Sequence, residues 1–357
     1  MSDSQGVKGA VFGLSAAALF GLSAPVAKLL LPGSTPLMLA ALLYLGGGLG
    51  LSGLGWVLRA RASAPRAVGR EARLGRQDVP LVLAIILCGG VVGPVLMLVG
   101  LQRMSGVAGA LLLNLEGPFT IVLALLVFGE HLGRAGLMSA GAILLGASVL
   151  GVQQGELQGD VLGVLALAGA CLSWAVDNNL TQRVSLKDPM AIARLKALGA
   201  GTCSLVLALL TGQRVPALPL VGAALLLGFV SYGVSIVLDA QALRLLGAAR
   251  EAAYFATAPF VGALAAVPLL GEHLRPTDAL AGGLMAVGVV LLLRERHSHL
   301  HAHEALEHEH LHVHDAHHHH AHAPGVAMSE PHSHAHRHEP LAHAHSHVSD
   351  LHHRHEH

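Results

Sequence analysis

Ten separate runs of about 20 apolar residues constrain this chain more than any other feature. They fall at 7–30, 37–58, 80–101, 106–128, 133–152, 159–181, 189–211, 217–241, 248–270 and 276–294. Each is long enough to cross a bilayer as a helix. None alternates as a strand would, and the connections are short except for 59–79. Only 12% of all 357 residues are charged, against 53% hydrophobic. A soluble fold needs a polar surface that this chain cannot supply, so a soluble enzyme is excluded and an all-α polytopic membrane protein is expected. Net charge is zero with neutral histidine, which gives no reason to expect a nucleic-acid partner. No GxxxxGK[ST] loop is present for ATP. The first run follows a short leader containing Lys8 and could pass for a signal peptide, but nine similar runs follow, so it is read as the first span.

Arginine sets the expected orientation. Segment 59–79 holds Arg59, Arg61, Arg66, Arg70, Arg73 and Arg76, and Lys/Arg excess marks cytoplasmic loops. With that loop inside, the cytoplasmic ends also carry Lys8, Arg134, Arg183, Lys187, Arg244, Arg250, Arg294 and Arg296. The other side keeps Lys28, Arg103, Arg214 and Arg275. Both termini are then cytoplasmic.

The spans form two sets of five. Arg103, Gly106, Ala108, Pro118 and Phe119 recur at one constant offset as Arg244, Gly247, Ala249, Pro259 and Phe260. After one residue of slip, Gly129-Glu130-His131-Leu132 recurs as Gly271-Glu272-His273-Leu274. Five is odd, so the second copy lies inverted relative to the first, an arrangement typical of secondary transporters with a site near the midplane. The expected units are 7–152, 159–294 and a separate tail at 295–357.

The paired repeats, each ending in a Gly-Glu turn and a glycine-patterned helix (Gly141, Gly146; Gly283, Gly288), resemble the EamA family of the drug/metabolite transporter superfamily. Trp174-Ala175-Val176-Asp177-Asn178-Asn179-Leu180-Thr181 fits the family's aromatic-then-polar pattern at the start of the second repeat, and Phe20-Gly21 with Pro25 stands at the corresponding place in the first. The resemblance covers residues 7–294. It implies a ten-helix carrier of small solutes in the bacterial inner membrane, often an exporter. It leaves the solute open among amino acids, metabolites and drugs.

Ionisable groups at membrane depth are functional candidates. Glu116, in Asn114-Leu115-Glu116-Gly117-Pro118, stands one turn from a proline that frees backbone carbonyls. Asp177, Asn178 and Asn179 follow Trp174 as a dense polar patch. The expected substrate pathway is therefore Glu116, Asp177, Asn114, Asn178, Trp174 and Asp239, with helix kinks at Pro118 and Pro259. The competing account pairs these carboxyls with buried bases such as Lys196, and makes Glu251 an interfacial partner of Arg250. Glu130 and Glu272 are expected to cap or gate helix ends; His131 and His273 beside them are read as interfacial residues rather than metal ligands. Cys88, Cys171 and Cys203 lie in apolar runs with no CxxC spacing, so they read as buried small hydrophobes.

From His297 onward, 24 of 61 residues are histidine. With so little to bury, the tail should be disordered when free. Imidazole favours zinc, nickel, copper and cobalt. The expected ligands are His308, His310, His312, His314, His317, His318, His319 and His320, with no cofactor required for transport itself. Three readings follow: a carrier of a small organic solute with an accessory tail, a transition-metal exporter fed by the tail, and a metal-responsive receptor or scaffold. The spans hold scattered carboxyls and no histidine away from their ends, which favours the organic solute. The expected partners are the lipid bilayer, a small-molecule solute and transition-metal ions.

Overall fold

The computed structural model describes residues 3–61, 74–128, 134–152, 161–184, 187–246, 248–294, 297–303, 307–312, 332–337 and 341–347. Its membrane part is all-α. Eight stretches are long and apolar enough to cross a membrane, and two shorter apolar helices, Arg134–Leu150 and Pro276–Leu292, stand where the fifth and tenth spans are expected.

Most spans are not single helices. The first is α1 (Asp3–Gly21) followed by α2 (Ser23–Leu30), and the second is α3 (Pro36–Arg61). The third runs from α4 (Val79–Ile85) through a π-helical turn, Ile86–Val92, into α5 (Gly93–Arg103). The fourth is α6 (Gly106–Leu112), a 3-10 turn Leu113–Leu115 and α7 (Glu116–Phe128); the fifth is α8 (Arg134–Val152). The second repeat opens with α9 (Val161–Gln182) and α10 (Pro189–Leu210). Its third span passes from α11 (Leu218–Phe229) through π-helical Val230–Val234 to α12 (Ser235–Leu246). Its fourth is α13 (Ala248–Phe255) and α14 (Ala258–Leu270), and its last is α15 (Pro276–Arg294).

The repeat seen in sequence is thus a repeat of irregularities. Both third spans contain a π turn, and both fourth spans break just before a proline, Pro118 or Pro259. Proline donates no backbone hydrogen bond to the carbonyl four residues earlier, which here is Asn114 or Phe255. Packing obeys the same pairing. α3 lies on α10, α6 on α14 and α8 on α15, each against a helix of the equivalent span in the other repeat. α1 packs on α12 while α9 packs on α5, exchanging repeats. Gly146 and Gly288 occupy equivalent places on α8 and α15. A Cβ on either would lie 2.9 Å from a backbone oxygen of the other helix, Ala281 O or Ser139 O. The main core gathers around Leu39, Leu98, Leu101, Leu112, Leu167 and Met285, all essentially inaccessible.

The described tail residues pair as β1 (His297–His303) with β4 (Leu341–His347), and β2 (Glu307–His312) with β3 (His332–Arg337), both antiparallel. No strand carries more than one leucine. A two-stranded ladder without an apolar layer is marginal in water, in keeping with a tail that has no core of its own.

Candidate functional site

A cavity of about 520 Å³ opens where the broken helices meet. Phe20 and Gly21 reach it from the break between α1 and α2, Asn114 and Glu116 from the break before α7, and Phe255 and Pro259 from the break before α14. Trp174 and Asn178 of α9, Tyr232 and Asp239 of the eighth span, and Glu251 of α13 complete its polar and aromatic wall. It continues to Leu292 near the end of α15. That is the end of the bundle that carries Arg244, Arg250 and Arg294 in sequence.

Five of the six sequence-expected pathway residues line this space: Glu116, Asn114, Asn178, Trp174 and Asp239. Glu116 opens α7, where a helix N-terminus favours negative charge. Its Oε1 accepts a 2.7 Å hydrogen bond from Asn178 Nδ2, which links the two repeats. Side chains also bond the carbonyls that lead into the break. Asn114 Nδ2 donates to Leu111 O at 2.9 Å, and the buried Cys171 thiol approaches Leu112 O and Leu113 O at 3.6 and 3.7 Å. Pro118 and Pro259 both stand in the first turn after a break.

Asp177, the sixth residue, stands elsewhere. Its buried carboxylate is ion-paired with Lys196 of α10 and faces the π turn of the third span, where a Cβ on Gly89 would collide with it. The same turn presents Gly89 O to two donors, Tyr44 Oη at 2.9 Å and Trp174 Nε1 at 3.1 Å. Ser173 Oγ donates to Cys88 O at 2.9 Å. This network fixes the Trp174 ring that borders the cavity.

Glu251 was expected at the interface beside Arg250. It lines the cavity together with Asp239, while the side chain of Arg250 lies outside the described residues. Asp239 Oδ1 is buried without a hydrogen-bond partner. Tyr232 and Phe255 also escaped sequence reasoning. Phe20 packs on Phe255 with ring centroids 5.1 Å apart and edge-on to Tyr232 at 5.8 Å. The available signal was position: Glu251 and Phe255 share a span with the breaking Pro259, as Glu116 does with Pro118.

The repeated Gly-Glu turn has a structural use at its second copy. Gly271 ends α14 in the left-handed conformation, φ 65°, which glycine adopts at little cost. Glu272 then crosses to the first repeat and accepts from Gly106 N at 2.6 Å and Val107 N at 3.0 Å. It caps α6, while Lys28 donates to Leu101 O and Met104 O beside it. His273 is exposed. Glu130 and His131 lie outside the described residues, as do His314, His317, His318, His319 and His320. His308, His310 and His312 lie on β2, in register with His336, His334 and His332 of β3.

Paired repeats around a central cavity are matched by comparison with known proteins. The model of the EamA-like transporter family matches residues 7–152 and, separately, 161–294. The chain belongs to the EamA-like transporter family. An uncharacterized transporter of Methanothermobacter thermautotrophicus is 30% identical over 295 residues, 78% of this chain and 84% of that protein. The uncharacterized inner membrane transporter YedA of Escherichia coli K12 is 27% identical over 156 residues, 43% of this chain and 49% of its own length. A solved crystal structure superimposes with a TM-score of 0.58 over 80% of this chain and 98% of that one, at 19% identity, which supports the fold alone. As an EamA-like transporter, the protein sits in a lipid bilayer and handles a solute.

Proposed function

We propose that this EamA-like transporter is a secondary carrier that exports a small organic solute across a bacterial inner membrane, with both termini cytoplasmic. The observation that carries this reading is the cavity at the junction of helix breaks from both repeats, lined by Glu116, Asn178 and Asp239 and extending toward the arginine-bearing helix ends. Those ends are cytoplasmic by the arginine distribution, so a solute would enter from the cell interior. The capped Glu272–α6 junction lies at the opposite ends of the helices and closes them together. Among the described residues, no three His, Cys, Asp or Glu stand close enough to hold a metal ion. This favours an organic solute in the pathway, with metal binding assigned to the tail histidines.

The orientation is checked in intact cells. A cysteine added after His357, in a chain whose Cys88, Cys171 and Cys203 are replaced by alanine, should resist impermeant thiol reagents. Labelling there would reverse the direction proposed above.

The division of labour is checked in proteoliposomes. A chain ending at Arg296 should insert and move its solute at the rate of the full chain. It should lose most of its zinc and nickel binding. For the full chain, binding should weaken as pH falls through about 6.5, because protons then occupy the imidazole nitrogens that metal requires. Glu116→Gln should slow solute flux by about tenfold or more, the cost of one charge-assisted contact. Zinc, nickel or cobalt flux through the full chain, slowed on truncation and indifferent to organic solutes, would establish the metal-exporter reading instead.

A further inference from the structure

We propose that the solute is an organic cation, an amine with an apolar body whose ammonium group pairs with a carboxyl of the cavity wall, Glu116 of the first repeat or Asp239 and Glu251 of the second. The inference rests on the carrier reading above and adds the chemical class of its solute.

The charge of the cavity is one-sided. Three carboxyls line it, and no Lys or Arg does among the described residues. The two half-buried lysines in nearby helices lie outside this lining and have partners of their own: Lys196 is paired with Asp177, and Lys28 with Leu101 O and Met104 O. Glu116 has a neutral amide, Asn178, as its hydrogen-bond partner, and Asp239 Oδ1 has none. Uncompensated charge at membrane depth is costly. A bound ammonium would supply compensation to a carboxyl of this wall, with up to three N–H donors.

The rest of the wall fits the remainder of such a molecule. Phe20, Trp174 and Phe255 border the same space, and aromatic faces attract a cation as well as packing an apolar body. A volume of about 520 Å³ lies within the ordinary range for small organic ligands, roughly 300–1,000 Å³. A carboxylate-bearing solute would meet like charge and no basic side chain among the described lining residues. At an effective dielectric of about 20, one such contact at 4 Å opposes binding by several RT. The same argument applies to the carboxylate of an amino acid.

The test is a charge ladder on fixed scaffolds. Phenyl, indolyl and butyl side chains are each presented as the amine, the amino acid and the acid to the full-length chain in proteoliposomes. Radiolabelled flux and equilibrium binding in detergent are both read. The amines should bind and move saturably, by about tenfold or more over their amino-acid and acid counterparts, as one unfavourable charge contact requires. Glu116→Gln and Asp239→Asn should each remove that preference, and the ladder on the unmodified chain stands whether or not these variants fold. Preferential transport of the amino acids or acids would overturn the cation proposal and leave the carrier reading intact. Equal transport of all three forms would do the same. Absence of protein-dependent flux for every compound, from a chain that inserts and binds none of them, would overturn both.

Discussion

Replacing Gly228 by leucine should prevent the two repeats from assembling. Gly228 on α11 lies against α3, and a Cβ there would stand 1.9 Å from Leu43 O. The reciprocal contact is nearly as close, with a Cβ on Gly46 falling 2.1 Å from Leu225 O. These obstacles are backbone atoms, which no rotamer change can clear, so the helices themselves must separate. In a membrane, helix association depends on this kind of close approach. Over-packing a tight interface costs about 1–3 kcal/mol even when side chains can yield; a rigid backbone contact belongs at or above the upper end. The variant should be lost from the monodisperse fraction in detergent or melt far below the parent. Gly222→Leu on the same helix, where nothing lies within 4 Å of the added Cβ, is the matched control and should behave as the parent. Equal behaviour of the two variants would show that the α3–α11 contact does not hold the bundle.

Asp177→Asn should destabilise the protein, and Lys196→Met in the same chain should restore most of the loss. Asp177 is buried and Lys196 is its ion-pair partner, so removing the carboxylate leaves an ammonium group without compensation between helices. Breaking a buried pair from one side costs about 3–5 kcal/mol, whereas replacing both partners by groups of similar volume is often close to neutral. The two chains are compared by thermal melting in detergent, with flux counted per folded molecule. Restored stability with normal flux in the double variant makes the pair a structural link between α9 and α10. Restored stability with flux still absent would return Asp177 to the solute pathway.

Those two outcomes concern the same point, because Asp177 and Asn178 are neighbours in sequence with different surroundings. Successive helical residues point about 100° apart. Asn178 turns to the cavity and Glu116, while Asp177 turns to Lys196 and the π turn. Glu251 makes the reverse case, since its place beside Arg250 suggested an interfacial group and α13 places it on the cavity wall with Asp239.

Sequence alone determined the spans, because twenty apolar residues have few other fates, and the five-plus-five repeat, because its prolines and Gly-Glu turns recur in register. It located the breaks at Pro118 and Pro259, since a missing N–H acts locally whatever surrounds it. What only the tertiary structure decided is which face of each helix meets the cavity. In a soluble helix, the polar face points to water and reveals the buried one. Here lipid and protein neighbours are both apolar, so the pattern of hydrophobic residues carries no such directional signal. The facing of Asp177, Asn178, Asp239 and Glu251 depends on contacts of their own helices, such as Gly100 with Leu167, Gly9 with Leu246 and Gly13 with Tyr254, which join residues far apart in the chain and constrain each helix's rotation about its own axis.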